Sequence, residues 1–222
     1  MTIKKRTLIC ALAAVALAGG LPAAAAAAQV QEPARVGSVR ELIAELPVAE
    51  EVRTGYERSK FRHWIDADKD GCNTRMEVLK DEAVEAPTQG VNCALSGGQW
   101  FSYYDDVLVS GASGLDIDHM VPLAESWDSG AYDWTPERRQ AYANDLGWSR
   151  SLVAVTARTN RQKADQDPST WMPPAADALC HYVADWVSVK TRWQLSVDAA
   201  ELQALQQAAA ECPDEELAVP LA

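Results

Sequence analysis

The stretch Leu115-Asp116-Ile117-Asp118-His119-Met120-Val121-Pro122-Leu123 most constrains the fold of this chain. Apolar and polar residues alternate as in a half-buried strand, so Leu115 and Ile117, with Met120 or Val121, face a core while Asp116 and Asp118 face out. Adjacent Asp118 and His119 leave an ideal strand on opposite faces. Both serve one site only where the backbone bends or bulges, and Pro122 predicts an early end to the strand. Residues 151–156, Ser-Leu-Val-Ala-Val-Thr, read as a second short strand, and residues 157–163 as the start of a helix carrying Asn160, Arg161 and Lys163. Two strands and a helix then gather a carboxylate, an imidazole and an amide around one point.

That trio suits phosphodiester hydrolysis. A hard divalent cation takes oxygen ligands, for which Asp118 and the Asn160 side-chain oxygen are suitable, and it stabilises charge on the phosphoryl group and the leaving oxygen. A neutral imidazole beside them, His119, can take a proton from an attacking water. The succession Asp118-His119-Met-Val-Pro, Ser151-Leu-Val-Ala-Val-Thr and Asn160-Arg-Gln-Lys163 resembles the HNH endonuclease motif. It is most similar to the branch related to the nuclease module of the GmrSD restriction enzymes, which includes small secreted bacterial nucleases. Asp165-Gln-Asp167-Pro168-Ser-Thr-Trp171-Met-Pro173-Pro174 is similar to that branch as well. The resemblance is strongest over residues 100–195 and weaker over about 57–80. It implies an α+β fold with a ββα-metal (HNH) core and a Mg²⁺ or Mn²⁺ cofactor. It also implies a nucleic-acid substrate, DNA ahead of RNA. By the same resemblance Asp118 and Asn160 bind the metal, His119 is the general base, and Lys163 lies near the phosphate or stabilises the site. Ser151 stands where many HNH proteins carry an Asn that helps hold the base; its hydroxyl has a shorter reach.

The N-terminus reads as a Sec-type signal peptide over residues 1–28: Lys4-Lys5-Arg6, an apolar run from Leu8, and an A-x-A site ending at Ala28. Gly19, Gly20 and Pro22 break the run before it reaches the roughly 20 residues of a spanning helix. The expectation is a secreted protein with no membrane attachment after cleavage, one domain over residues 29–222, and no obligate protein partner. Cleavage leaves Cys72, Cys93, Cys180 and Cys212. An even count in an exported chain predicts two disulfides; three pairings are open, and the sequence-local set, Cys72 with Cys93 and Cys180 with Cys212, is preferred. Zinc is the competing use, but the spacings are wrong for structural sites.

Charge opposes the simplest picture of a nucleic-acid binder. The whole chain has a formal charge of −12, and removal of the leader leaves 17 basic residues against 32 acidic ones. Phosphate contacts normally dominate affinity for nucleic acid. The basic residues are nonetheless clustered, from Arg53 to Lys80 and from Arg138 to Lys163, which allows a local cationic track on an acidic body. Arg75 and Arg161 are the candidate phosphate contacts.

A lead-in without regular structure is expected over residues 29–37. The capping box Ser38-x-x-Glu41 then starts a short helix ending before Pro47, and a second helix is expected over about 49–64. Asp66, Asp68, Asp70, Gly71 and Glu77 match every fixed position of the D-x-D-x-D-G-x₅-E calcium loop, so residues 66–77 form an EF-hand-like candidate for Ca²⁺. Residues 99–104 and 107–109 are strand-like. Among their aromatic residues, Trp100, Phe101, Tyr103 and Tyr104, either core packing or stacking on single-stranded bases is open, with packing ahead. The nuclease core is expected over about 99–172, with a helix from Thr135-Pro136 to about Asp145. C-terminal helices follow over 174–211, and residues 213–222 form a frayed tail. His63 and His181 have no ligand-spaced partner and are read as packing or surface residues outside the site. The competing function is a non-catalytic exported Ca²⁺-binding or cell-envelope protein using the 66–77 loop. A zinc phosphoesterase of small molecules ranks third, since few His and Cys ligands converge.

Overall fold

The computed structural model describes residues 33–222, so the expected leader lies outside the described residues. The described chain is α+β. Strand β1 (Ala34–Ser38) leads directly into helix α1 (Val39–Glu45), whose N-cap Ser38 accepts from the Glu41 amide while the Glu41 side chain accepts from the Ser38 amide. Helix α2 (Thr74–Asp81) is capped by Asn73. Short strands β2 (Ala83–Glu85), β3 (Thr88–Gln89) and β4 (Leu95–Ser96) precede the hairpin of β5 (Gln99–Ser102) and β6 (Val107–Ser110). Strand β7 (Leu115–His119), helices α3 (Leu123–Asp128) and α4 (Pro136–Ala143), strand β8 (Leu152–Thr156) and helix α5 (Ala157–Lys163) follow. The chain closes with helices α6 (Leu179–Trp193) and α7 (Ala199–Ala210) and strand β9 (Glu216–Pro220).

Three sequence expectations fail here. Residues 34–38 are not an irregular lead-in and residues 216–220 are not a frayed tail: β1 and β9 pair antiparallel in unbroken register from Ala34–Pro220 to Ser38–Glu216. Both have weak local signals, and each supplies the other's backbone partners. The expected helix over 49–64 is absent; apart from a single 3₁₀ turn at Arg58–Lys60 the segment is irregular. Its anchors are aromatic: Tyr56 and buried Phe61 meet the Trp127 ring at 6.2 and 6.4 Å.

The β7–β8 pair divides the interior. Leu115, Ile117, Leu152 and Ala154, on one face of the pair, join Val78, Leu79 and Trp100 in a smaller core under α2 and the β2–β5–β6 sheet. Val153 and Val155 face the other way, into the main core built from α1, α3, α4, α6 and α7 around Tyr104, Trp127, Tyr142, Tyr182 and Trp186. A strand buried on both faces reads as a continuous apolar run, as Leu152-Val-Ala-Val155 does. The four cysteines among the described residues pair as Cys72–Cys93 and Cys180–Cys212, the second joining α6 to the end of α7. Among the described residues no helix is long and apolar enough to cross a membrane.

Glu82, at the end of α2, reaches over to accept the Ala154 amide at 2.7 Å, and burial raises its carboxyl to about 7. Folding therefore takes up a proton between about 4.5 and 7. The stability linked to that proton is present below the unfolded value and lost as pH rises through 7. Glu82→Gln, which keeps the acceptor and removes the charge, should stabilise the protein by on the order of 1–2 kcal/mol at pH 8 and do nothing at pH 4. Melting curves at both pH values check this; an equal gain at both would refute the linkage.

Candidate active site

The strand register places the candidate residues. Asp118 stands opposite Val153 and His119 opposite Leu152, so Asp118 faces the main core and His119 the smaller one. The register is regular through His119, and no bulge brings the two side chains together. They share a site because the strand ends there. A cleft of about 310 Å³ at its end is lined by Asp118, His119, Asn160, Arg161 and Arg58.

Contrary to the alternation read from sequence, Asp118 is buried. Its Oδ2 accepts from the Tyr104 hydroxyl at 2.7 Å and from the Lys163 ammonium. Oδ1 has no protein partner among the described residues. Lys163 is fully buried and also donates to the carbonyls of His119 (3.1 Å) and Met120 (2.7 Å), with the Tyr104, Tyr182 and Trp186 rings about it. Its ammonium is engaged inward, and Lys163 is not among the residues that line the cleft. Burial pushes the Asp118 carboxyl up and the Lys163 ammonium down, and their mutual attraction opposes both shifts.

His119 is held by a group that no side-chain motif reveals. Its Nε2 lies 3.0 Å from the carbonyl oxygen of Ala143, the last residue of α4. A carbonyl only accepts, so Nε2 carries the proton and the Nδ1 lone pair is free. Burial depresses the imidazolium to about pKa 3, so the ring is neutral at physiological pH. Trp64 covers it with ring centroids 5.4 Å apart, and does so from a left-handed backbone (φ 58°), which is strained for a bulky residue. His63, expected to lie apart from the site, has its ring 6.4 Å from that of His119.

The Ser151 hydroxyl is directed away from His119 to another partner. It donates to Asp145 at 2.7 Å, where Arg192 and the Trp193 indole also converge. It ties the entry of β8 to the end of α6. Asn144 acts similarly on the other side, donating to the carbonyls of Arg62 and Gln140 and accepting from the Ile65 amide and the Thr74 hydroxyl. Together these bonds fix the end of α4, and hence the Ala143 carbonyl.

On α5, Asn160 is half-buried in the cleft wall with its amide nitrogen 3.5 Å from Asp116, which leaves its oxygen free. Arg161 is exposed beside it and pairs with Asp116 at 3.3 Å. Arg75 is elsewhere: its guanidinium donates to the Leu115 carbonyl at 3.0 Å and props the start of β7. Arg58 takes the place expected of Arg75 in the cleft, and Tyr104 and Asp116 complete the set. Sequence reading missed all three roles; only Asp116, two positions before Asp118 on the same strand face, had a visible signal.

In the acidic loop, Asp66, Asp68 and Asp70 each offer one oxygen within 4.8 Å of the others, and the Gly71 amide donates to Asp66. Glu77 pairs with Lys80 at 3.1 Å.

With this geometry in place, comparison with known proteins identifies the class. Residues 73–208 match the family described as GmrSD restriction endonucleases, C-terminal domain. The chain belongs to that family, which is HNH-like. It is also 45% identical over 151 residues, 68% of this chain and 72% of the relative, to a protein named "Uncharacterized secreted protein" from Arthroderma benhamiae. No solved structure matches the chain.

Proposed function

We propose that this protein is a secreted, divalent-metal-dependent endonuclease that hydrolyses phosphodiester bonds of nucleic acid, DNA first and RNA second, on a ββα-metal core made of β7, β8 and α5. One observation carries the reading: Asp118, His119 and Asn160 line one cleft, with His119 Nε2 bonded to the Ala143 carbonyl and its Nδ1 free. The family supports the nuclease class; the relative's name, together with the disulfides, supports export.

The donor set suits a hard cation, since Asp118 Oδ1 and the Asn160 side-chain oxygen are both oxygen donors left free by their neighbours. Mg²⁺ or Mn²⁺ held there would supply charge stabilisation at the phosphoryl group and the leaving oxygen. The chain's own residues do the rest. His119 Nδ1 takes a proton from water as the water oxygen bonds to phosphorus and the ester P–O bond breaks, the departing oxygen being protonated from solvent. Arg58 and Arg161 offer guanidinium groups to the phosphate oxygens, and Asp116 steadies both Arg161 and Asn160. Lys163 and Tyr104 position the carboxylate.

The test is incubation of the disulfide-intact chain with supercoiled plasmid at low salt in Mg²⁺, Mn²⁺, Ca²⁺ or EDTA. Nicking that needs the ion supports the reading. If plasmid, single-stranded DNA and RNA all survive every ion, the reading is wrong. Asp118→Ala and Asn160→Ala should each raise the Mg²⁺ concentration for half-maximal nicking by at least about tenfold; a variant with an unchanged requirement removes that residue from the ion site.

A second reading attaches to the 66–77 loop, where the convergence of Asp66, Asp68 and Asp70 favours Ca²⁺. Calorimetric Ca²⁺ binding that vanishes in Asp66→Ala, in a protein without nuclease activity, would put that reading first. Heatless titration would dismiss it.

A further inference from the structure

We infer that a second cavity, bounded by Phe101, Tyr103 and Arg158, is a nucleobase subsite. It receives an unpaired base flanking the cleaved bond and favours bases that carry an exocyclic amino group. The inference rests on the nuclease reading above and names the form of nucleic acid it takes.

The structure sorts the aromatic residues of the β5 segment. Trp100 and Tyr104 are fully buried, whereas Phe101, facing out from the same strand, is 47% exposed. It stands at a cavity of about 480 Å³, within the size range of small-ligand pockets. Tyr103 forms another wall, and its ring stacks on His181 at 4.4 Å and 13°. Asp185 fixes that pair, accepting from the Tyr103 hydroxyl at 2.9 Å and lying 3.1 Å from His181 Nε2. Phe101 thus offers an exposed aromatic face at a cavity whose other wall is the braced Tyr103–His181 pair, and stacking on such a face is indifferent to base identity.

Helix α5 joins this cavity to the cleft. Arg158 lines the cavity and Arg161 lines the cleft. The i,i+3 spacing makes them neighbours on one helix face, roughly 5–6 Å apart at Cβ. Both are exposed. A strand with its scissile phosphate beside Asn160 and Arg161 would carry the next phosphate past Arg158 and its base toward Phe101.

The cavity's acidic residues say which part of the nucleotide enters. Asp105 is turned inward and spent on the hydroxyls of Ser102, Thr156 and Thr159. Asp106 and Asp177 line the cavity. Carboxylates repel phosphate but accept from the amino groups of cytosine, adenine or guanine; thymine and uracil have no such group. A base already paired in a duplex cannot present its edge and face in this way, so the flank is single-stranded.

Fluorescence anisotropy of labelled oligo-dC and oligo-dT, with the disulfide-intact chain in EDTA, reads binding without cleavage. Oligo-dC should bind tighter than oligo-dT. Phe101→Ala should weaken both by about tenfold, the loss of one stacked base. The double variant Asp106→Ala/Asp177→Ala should abolish the preference for dC, and Val84→Ala, on an exposed strand outside the cavity, should change nothing. Equal binding of dC and dT, or parental affinity in Phe101→Ala, overturns the subsite. A protein that nicks plasmid but lacks this binding pattern loses only the subsite; one that binds with this pattern yet cleaves no nucleic acid loses only the nuclease reading.

Discussion

Replacing His119 should reduce plasmid nicking by about 10²–10⁴-fold, the range for losing a positioned general base, while the fold survives. Two substitutions separate chemistry from support. His119→Ala removes the ring and leaves the Ala143 carbonyl and the face of Trp64 without their partner. His119→Gln retains an N–H able to reach the Ala143 carbonyl but offers no comparable base. If His119 acts through its Nδ1 lone pair, the two variants are equally inactive although Gln is the more stable. Nicking kinetics beside melting curves decide the matter. Substantial activity in either variant would overturn the base assignment, and inactivity that tracks only with unfolding in both would reduce His119 to a packing residue.

The second large effect is on stability. Lys163→Ala should cost about 3–5 kcal/mol, because it leaves the buried Asp118 carboxylate uncompensated and takes the donor from two backbone carbonyls. Lys163→Met, which keeps the apolar stem among Tyr104, Tyr182 and Trp186, should lose less through packing but the same through charge. Combining Lys163→Met with Asp118→Asn removes both charges and should recover part of the lost stability while nicking stays impaired. Denaturant midpoints over this double-mutant cycle measure the coupling. A cycle with no coupling energy would mean that the ammonium and carboxylate do not depend on each other, and a stable Lys163→Ala would place the lysine outside the structural core of the site.

These two residues show what was legible in the sequence. The alternation from Leu115 to Ile117, the apolar run from Leu152 to Val155 and the spacing to Asn160 report local periodicity and side-chain type, and the strand–strand–helix unit follows from them. The Ser38 capping box and the Thr135-Pro136 start were equally local, and those two helices begin where the signals stand. What holds the site is long-range. Asp118 alternates like a solvent-facing residue, yet it is buried because Tyr104 and Lys163, 14 and 45 residues away, supply its partners. The carbonyl on His119 belongs to an alanine, and a backbone oxygen carries no mark of its role in the sequence. Ser151 occupies the motif position expected to steady the base, but its short hydroxyl is taken by Asp145. The β1–β9 pair was missed for the same reason: each strand is unremarkable alone and is defined by a partner at the other end of the described chain.

The disulfides have a consequence for where such a protein can safely exist. Both cross-links lie outside the strand–strand–helix unit: Cys72–Cys93 secures the approach to α2, which packs against β7 and β8, and Cys180–Cys212 ties together two helices of the main core. In a reducing cytosol neither bond persists, and each contributes about 3 kcal/mol through the unfolded chain for loops of this order. A chain of this kind is therefore least rigid in reducing surroundings and gains its full rigidity only in oxidising ones, so the redox state of its compartment sets how firmly α2 and the α6–α7 pair are held.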